Sequence, residues 1–166
     1  MEPSDKVYTA SLIGDYILGR GGGQFTQLQV IKLAFICYGH VLAQHGRRLF
    51  NEDIEAWAYG PVIPSLYDTL KIYGSLAIPE LQYCRTKING SDFTKRMDFI
   101  SEKIDKDTKE ILNVVIDEYG KLTGPALLRL THLEGTPWSK SYVKGQYHTI
   151  IPDEIIREYY SNIDVK

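Results

Sequence analysis

The sequence predicts a mainly α-helical fold, a compact single-domain helical bundle around a buried central helix, with a small β-hairpin. Three observations support this prediction. A long apolar run between Thr26 and Gly46 has helical spacing, helix-like runs bounded by glycine or proline flank it, and strand-like alternation is confined to short stretches. A chain of 166 residues buries roughly 70 % of its unfolded surface as one domain, which is enough for a core without disulfides.

An N-terminal helix is predicted over residues 6–18, with Ser4 or Asp5 as its cap and Gly19 as its end. The glycine-rich loop 20–23 follows it and leads into the next helix. Such a loop can cradle a phosphate, but no strand precedes it and no Lys-Ser/Thr pair follows it. A flexible connector is therefore the favoured interpretation.

The predicted central helix lies between Thr26 and Gly46. Its apolar residues recur at steps of three and four, and the opposite side is apolar as well. A helix that is apolar nearly all round must be covered on most sides by other elements. Thr26 and Gln29 have capping-box spacing, and Gly46 can adopt the left-handed conformation that ends a helix. The run is too short, and too interrupted by Lys32 and His40, to indicate a membrane span.

Residues 54–59 are predicted to be a short extended segment that Gly60-Pro61 interrupts. Pro64 suits the first position of the next helix, which is expected to end at Gly74. The aromatic side chains of Trp57 and Tyr67 are large enough to hold this corner against the central helix.

The segment between the third predicted helix and the C-terminal third has the least regular pattern. Residues 83–88 are a candidate strand that turns at Asn89-Gly90, the dipeptide most typical of two-residue hairpins. The partner strand would begin at Phe93 or Met97 and end at Ile100.

Four helices are predicted in the C-terminal third. The first begins at Asp107 and ends at Gly120, and the second is capped by Thr123. Thr136-Pro137 begins the third, and Pro152 begins the last. All four carry apolar residues at helical spacing, so each is expected to bury one face.

The helices within residues 107–132 also have the layout of a helix-turn-helix, which allows a DNA-binding regulator as an alternative function. The second helix, however, offers only Arg129 and His132 for contacts with DNA. The chain has 19 basic and 21 acidic residues and a net charge of −2, without the basic excess of a nucleic-acid-binding domain. An ordinary helical hairpin is the commoner interpretation.

No catalytic or metal-binding constellation stands out. His40 and His45 are five residues apart, so they do not share a helix face, and Cys37 and Cys84 form no metal-type pair. An enzyme acting through His132 with Glu134 or Asp153 remains an alternative without definite spacing, and His132 is more simply a residue that satisfies carbonyls at a helix end. No cofactor is expected.

Composition and the start of the chain favour a cytoplasmic binding protein. The first 16 residues contain acids and no apolar signal core. Nothing indicates a disulfide framework, which fits a reducing compartment. The chain has 12 tyrosines, and tyrosine is a frequent anchor in protein interfaces.

Three motifs follow one another in the order found in a known family. The motifs are Leu28-x-x-Ile31-Lys32-Leu33-x-Phe35-x-x-Tyr38-Gly39, Glu55-Ala56-Trp57-x-Tyr59-Gly60-Pro61-Val62-x-Pro64-x-Leu66-Tyr67 and Leu130-Thr131-His132-x-Glu134-x-x-Pro137-Trp138. In these motifs the chain resembles the Panacea domain of SocA-like antitoxins, which is also found in phage-associated GepA-like proteins. The resemblance extends over nearly the whole chain, residues 1–166 being expected to form one such domain.

The resemblance implies an antitoxin that neutralises a partner toxin by direct protein binding and that is not an enzyme. A second role that it implies is that of an adaptor presenting the toxin to a cellular protease; no membrane is expected as a partner, and nucleic acid is disfavoured. The family-signature residues, expected to act mainly through folding, are Trp57, Tyr59, Gly60, Pro61, Val62, Pro64, Tyr67, His132, Pro137 and Trp138. The candidate toxin contacts are Arg85 and Lys87 in the irregular segment 75–102 and Tyr159 and Tyr160 in the last helix.

Overall fold

A computed structural model describes residues 5–83 and 85–164. Within them the chain forms helices and two small antiparallel hairpins, which confirms the mainly α prediction. The helices are α1 (Ala10–Arg20), α2 (Gln27–His45), α3 (Pro64–Leu70, continued by a 3-10 turn at Lys71–Tyr73), α4 (Phe93–Glu102), α5 (Lys106–Tyr119), α6 (Gly124–His132), α7 (Pro137–Ser141) and α8 (Asp153–Ser161). The strands are β1 (Glu55–Trp57), β2 (Gly60–Val62), β3 (Glu80–Leu81) and β4 (Thr86–Lys87). No described helix is long and apolar enough to cross a membrane.

Helix α2 is the centre of the fold, as the sequence predicts. The Thr26 N–H donates to Gln29 Oε1 over 2.9 Å and Thr26 Oγ1 accepts from the Gln29 N–H, which closes the predicted capping box. Gly46 ends the helix with a φ of 68°. Every residue from 30 to 42 is buried, because α1, α5, α6 and α8 all pack against this helix.

Helix α8 makes the most extensive of these contacts. The Tyr160 ring lies directly on Gly39, where any side chain would collide with it. The same ring meets the Phe35 ring edge-on at a centroid distance of 5.8 Å and the His40 ring at 4.8 Å. At the other end of α8, Tyr38 donates a hydrogen bond of 2.6 Å to Asp153. These contacts fix the C-terminal helix to the core at both of its ends.

The first hairpin corrects the expectation that Gly60-Pro61 interrupts regular structure. These residues form β2, with Ala56 opposite Pro61 and Trp57 opposite Gly60. Ala56 and Pro61 face each other at a position where they exchange no backbone hydrogen bonds, since the Ala56 N–H points away from β2 and donates to the Thr149 carbonyl over 2.8 Å. The missing N–H of Pro61 therefore leaves no hydrogen bond of the hairpin unmade, and proline is tolerated here. The Ile151 N–H donates to the Ile54 carbonyl over 2.8 Å, so the segment before α8 covers the other edge of β1.

Helix α1 begins later and ends later than predicted. Thr9 is its cap and accepts from the Leu12 N–H over 3.2 Å, so Asp5 is not the cap, and Ser4 lies outside the described residues. Residues 6–8 are extended, because the Tyr8 N–H donates to the Leu49 carbonyl over 2.9 Å. Gly19 lies inside the helix and packs directly against the Met97 side chain of α4.

The second hairpin lies earlier in the chain than predicted, and residues 93–102 form α4 instead of a strand. Leu81 pairs with Thr86, and the Asp15 carboxylate of α1 accepts from the Gln82 and Tyr83 N–H groups, both over 2.7 Å. This long-range contact holds a turn at Gln82 and Tyr83, seven and six residues before Asn89, where local sequence alone places none. Cys84 lies outside the described residues.

The cap of α5 is Asp105 and not Asp107. Its carboxylate accepts from the Thr108 N–H over 2.9 Å and from the Tyr8 hydroxyl over 2.5 Å, and Arg47 lies 3.4 Å away. Burial alone would raise the pKa of Asp105, but the hydrogen bonds from Tyr8 and Thr108 and the charge of Arg47 outweigh it and lower the pKa to about 2. The network joins the extended N-terminal segment to α5.

Phe35→Ala tests the central position of α2. Phe35 is fully buried against Tyr160, so we expect the substitution to lower the free energy of unfolding by about 3–5 kcal/mol. Phe99→Ala is the matched control, because the Phe99 side chain is 44 % exposed and should cost far less. Urea unfolding of both variants measures the difference. Equal losses would show that Phe35 does not belong to the core.

Asp105→Asn tests the network at the start of α5. Because the folded-state pKa of Asp105 is depressed, its stabilisation is present above about pH 4 and is lost as the pH falls towards about 2. We expect the variant to be roughly 2 kcal/mol less stable at pH 7 and to converge with the parent protein near pH 2. The control is Asp68→Asn, which removes an exposed carboxylate paired with Lys71. A stability difference that stays constant from pH 7 to pH 2 would contradict the role of the Asp105 charge.

Candidate functional site

An open groove of about 700 Å³ lies beside the β1–β2 hairpin. Its walls come from the start of α2, the hairpin, α3, the turn after α3 and the start of α6. We call it the hairpin groove. The lining residues are Thr26, Gln27, Leu28, Gln29, Ile31, Lys32, Trp57, Tyr59, Val62, Tyr67, Gly74, Ser75, Thr123, Gly124, Pro125 and Leu128.

Aromatic side chains form the hairpin side of the groove. The Trp57 and Tyr67 rings meet edge to face at a centroid distance of 5.0 Å and an angle of 71°. Trp57 Nε1 donates to Glu55 over 2.6 Å, which fixes the indole orientation. Tyr59 lies in the two-residue turn between β1 and β2 and is 76 % exposed. The sequence expectation that Trp57 and Tyr67 pack at one corner agrees with this geometry, but both rings also line an accessible surface.

A stack of three aromatic rings from α6, α7 and the residue after α7 supports the hairpin. His132 at the end of α6 stacks on Trp138 of α7 at a centroid distance of 3.8 Å, and Trp138 stacks on Tyr142 at 4.8 Å. Trp138 Nε1 donates to the Trp57 carbonyl over 2.6 Å. Pro137 supplies the first position of α7 and is buried. The two tryptophans of the family signature are thus joined through one backbone carbonyl.

Lys32 is a charged residue in the core of the fold. Its side chain is 1 % exposed, and Nζ donates one hydrogen bond, to the Pro61 carbonyl over 2.9 Å. Within residues 5–83 and 85–164 no carboxylate forms an ion pair with it. Burial lowers the pKa of Lys32 to about 7, because the charged form loses its hydration without gaining a counter-charge.

Gly60 lies against two of these polar groups. A side-chain carbon at this position would be 2.8 Å from Lys32 Nζ and 3.1 Å from His132 Nε2, and the residue has a φ of 108°. His132 Nε2 is buried and has no hydrogen-bond partner among the described residues. Burial, together with the nearby Lys32 charge, lowers the pKa of His132. Only glycine satisfies both the backbone angle and the close approach.

The structure brings the family-signature residues together at one corner, in two layers. Trp57, Tyr59, Val62 and Tyr67 line the groove. Gly60, Pro61, Pro64, His132, Pro137 and Trp138 form or support the hairpin and the helix starts around it. Lys32 was not among the predicted site residues. A lysine inside an otherwise apolar helix was the feature of the sequence that could have indicated it.

The four candidate toxin contacts have different environments. Arg85 and Lys87 are exposed on the second hairpin, as a contact surface requires. Tyr159 is half-buried and packs against Tyr160. Tyr160 is buried under α8 on Gly39 and Phe35. The expectation that Tyr160 offers a surface contact is therefore wrong, because the same ring closes the core around α2.

The described residues give little support to a catalytic or DNA-binding site. They contain no group of three His, Cys, Asp or Glu side chains that could hold a metal ion. Glu134 is exposed, and Asp153 interacts with Tyr38 and Arg48, so neither forms a pair with His132. Helices α5 and α6 pack mainly against α2 and not against each other, unlike the paired helices of a helix-turn-helix.

Comparison with known proteins identifies relatives of the chain. A family described as "Antitoxin SocA-like, Panacea domain" matches residues 30–139. Antitoxin SocA of Caulobacter vibrioides (strain NA1000 / CB15N) is 27 % identical over 113 residues, which are 68 % of this chain and 57 % of that relative. The chain thus spans little more than half the length of this curated relative. No solved structure matches. The family range contains the hairpin, α3 and Lys32, and 12 of the 16 groove-lining residues therefore lie within it.

Gly60→Ala tests the packing beneath the groove. We expect a loss of about 2 kcal/mol or more in unfolding free energy, because the new methyl group meets Lys32 and His132 at a φ that only glycine adopts readily. Gly22→Ala is the matched control, since Gly22 has a φ of 61° and open space around it, and should cost about 1 kcal/mol. Thermal and urea unfolding measure both values. A Gly60→Ala loss no larger than that of Gly22→Ala would show that the close approach carries no energetic weight.

Proposed function

We propose that this chain, which belongs to the SocA-like antitoxin family defined by the Panacea domain, neutralises a partner toxin by binding it directly. Family membership supports an antitoxin role in general. Direct binding, and the hairpin groove as the surface that makes the contact, are the proposal. The partner would be a toxin protein, and no cofactor takes part.

The observation that carries the proposal is the exposure of large apolar side chains around the groove. Tyr59 extends from the hairpin turn, and Trp57 and Tyr67 form the adjacent wall. Ile72 and Leu76, both exposed, flank residues 74–75 of the groove lining. A cluster of accessible aromatic and aliphatic groups beside a concave surface is typical of a protein-binding site.

The chemistry of the groove supports binding over catalysis. Among its lining residues Lys32 is the only one with an ionisable acid or base group near neutral pH. No carboxylate or histidine lines the groove beside it, so the groove lining itself supplies no pair of proton donor and acceptor. The walls are chiefly aliphatic and aromatic side chains with a few threonine and glutamine groups. Such a surface buries another protein's side chains well.

Tyr59→Ala separates recognition from folding. The Tyr59 side chain makes little contact with the rest of the protein, so we expect an unchanged melting temperature. Its loss should weaken binding of the toxin about tenfold or more, the usual effect of truncating an aromatic anchor at an interface. We take the product of the neighbouring gene as the candidate toxin. Growth of cells that co-express it with this protein measures neutralisation, and calorimetry with the purified proteins measures the melting temperature and the affinity. Tyr147→Ala is the matched control, because Tyr147 is 85 % exposed and does not line the groove.

Three further experiments distinguish direct binding at the groove from the alternative explanations. Neutralisation that persists in a host lacking its ATP-dependent proteases supports direct binding, whereas neutralisation that requires them indicates an adaptor. If Arg85→Glu or Lys87→Glu abolishes binding while Tyr59→Ala has no effect, recognition lies on the second hairpin. A neighbouring gene product that is harmless, or that stays toxic in the presence of this protein, would remove the basis of the proposal.

A further inference from the structure

We infer that the hairpin groove recognises an apolar segment of the partner protein that carries one carboxylate, and that Lys32 is the residue that pairs with this carboxylate. The inference rests on the proposed function, since the occupant is a segment of the toxin. It adds the chemical class of that segment and the residue that selects it.

The environment of Lys32 is incomplete in the protein by itself. The side chain lines the groove, is almost entirely buried and makes a single hydrogen bond, to the Pro61 carbonyl. An ammonium group has three N–H donors, and buried lysines are normally paired with a carboxylate or a similar acceptor. None of the described carboxylates serves as that partner. A carboxylate from another molecule would supply what the fold leaves out.

The surroundings of Lys32 also favour an anion. Helix α2, 19 residues long, and helix α6, nine residues long, both contribute their first turns to the groove lining. Helix N-termini carry partial positive charge, so both ends add to the field of Lys32. No acidic residue lines the groove to offset them. The potential inside the groove is therefore complementary to a negatively charged side chain or chain terminus.

A single charge distinguishes a carboxylate from a polyphosphate. Lys32 is the only lysine or arginine among the lining residues, whereas a nucleotide would call for several cations. The volume of about 700 Å³ holds several side chains, and the walls beside Lys32 include Ile31, Trp57 and Tyr67. An aromatic or aliphatic group next to the carboxylate would fill this space. The combination describes an apolar peptide segment with an Asp, a Glu or a terminal carboxylate.

The lysine can bind a carboxylate without leaving its present contact. Pro61 accepts only one of the three N–H donors, and Lys32 is one of the residues that line the groove. Burial without a counter-charge keeps the pKa of Lys32 near 7, so the free protein holds the charge only in part at neutral pH. His132, the neighbouring titratable group from α6, is biased towards its neutral form by the same cluster. A bound carboxylate would favour the charged form of Lys32.

Two small probes test the inference without the toxin. 4-Phenylbutyrate carries an aromatic tail and a carboxylate, and 4-phenylbutyramide has the same shape without the charge. Titration of each into isotope-labelled protein at pH 6, followed at the Trp57 indole N–H, measures the two dissociation constants. We expect the carboxylate to bind about tenfold more tightly, the effect of one charge-assisted hydrogen bond. Equal affinities, or no saturable binding of the carboxylate, would overturn the inference.

Lys32→Met is the decisive variant, because methionine keeps an unbranched apolar stem and removes the ammonium group. We expect it to bind both probes equally and weakly, and to melt no lower than the parent protein, since a buried unpaired charge is costly. Lys71→Met is the control, as it removes an exposed lysine paired with Asp68 outside the groove. Selectivity retained in Lys32→Met would contradict the role of this residue. Should Lys32→Met fail to fold, the 15N shift of Lys32 Nζ in the parent protein gives the answer: it responds to the carboxylate and not to the amide.

The toxin provides the second arm. Each Asp and Glu on the toxin surface is replaced by Asn or Gln, the C-terminal carboxylate of the toxin is amidated, and the affinities are measured against the parent protein and Lys32→Met. Removal of one particular toxin carboxylate should lower the affinity of the toxin for the parent protein about tenfold. The same change should cause no further loss of affinity for Lys32→Met. If the toxin binds but no carboxylate shows this coupling, the inference fails while the proposed function stands. If the toxin does not bind at all, the proposed function fails, and the probe titration still decides whether the groove selects carboxylates.

Discussion

The constraint on which this structure depends is the burial of α2 around its whole circumference. A helix with apolar side chains on every side cannot lie at a surface, so α1, α5, α6 and α8 each cover part of it. The small residue Gly39 lets α8 approach closely, and Tyr160 fills the space that it leaves. The polar groups within the buried run differ in how well the fold compensates them. The Tyr38 hydroxyl interacts with Asp153 and Arg48, Lys32 has only the Pro61 carbonyl, and His40 Nε2 has no hydrogen-bond partner among the described residues. The first turn of α2, which precedes Lys32, is only half-buried, so the cover of the helix is incomplete at this end.

That thin cover is also the origin of the groove. The first turn of α2 extends beyond the helices that surround its middle, and the hairpin, α3 and the start of α6 stand around it without closing over it. The same helix therefore organises the core and forms the floor of the accessible site. This arrangement explains why signature residues are divided between support and surface: Gly60, His132 and Trp138 hold the hairpin in place, and Trp57, Tyr59 and Tyr67 face the groove. A strict division between a scaffold and a separate recognition loop does not describe this corner.

Local signals in the sequence were sufficient wherever a neighbouring residue decides the structure. The capping box at Thr26, the left-handed Gly46, Pro64 at a helix start and Thr123 as a cap all lie as predicted. Predictions failed where a distant group decides. The Asp15 carboxylate, 67 residues before Gln82, fixes the position of the second hairpin. The Thr149 carbonyl accepts the Ala56 N–H, so Ala56 needs no hydrogen-bond partner on the strand that contains Pro61. The groove could not be predicted for the same reason, because its lining comes from segments near residues 30, 60 and 125 that only the tertiary fold brings together. Lys32 was visible in the sequence, but its lack of a counter-charge was not.

The packing of α1 and α8 against α2 extends the core beyond the range of the family similarity. The family similarity extends over residues 30–139, yet α8 begins at Asp153 and α1 ends at Arg20, both outside that range. A fragment cut at the limits of the similarity would lose the Tyr160 ring above Gly39 and the hydrogen bond from Tyr38 to Asp153, and it would expose two sides of α2 to water. Exposed apolar helix faces of that kind promote aggregation. The range of family similarity and the set of helices that enclose α2 therefore have different boundaries, because α1 and α8 cover the central helix from outside residues 30–139.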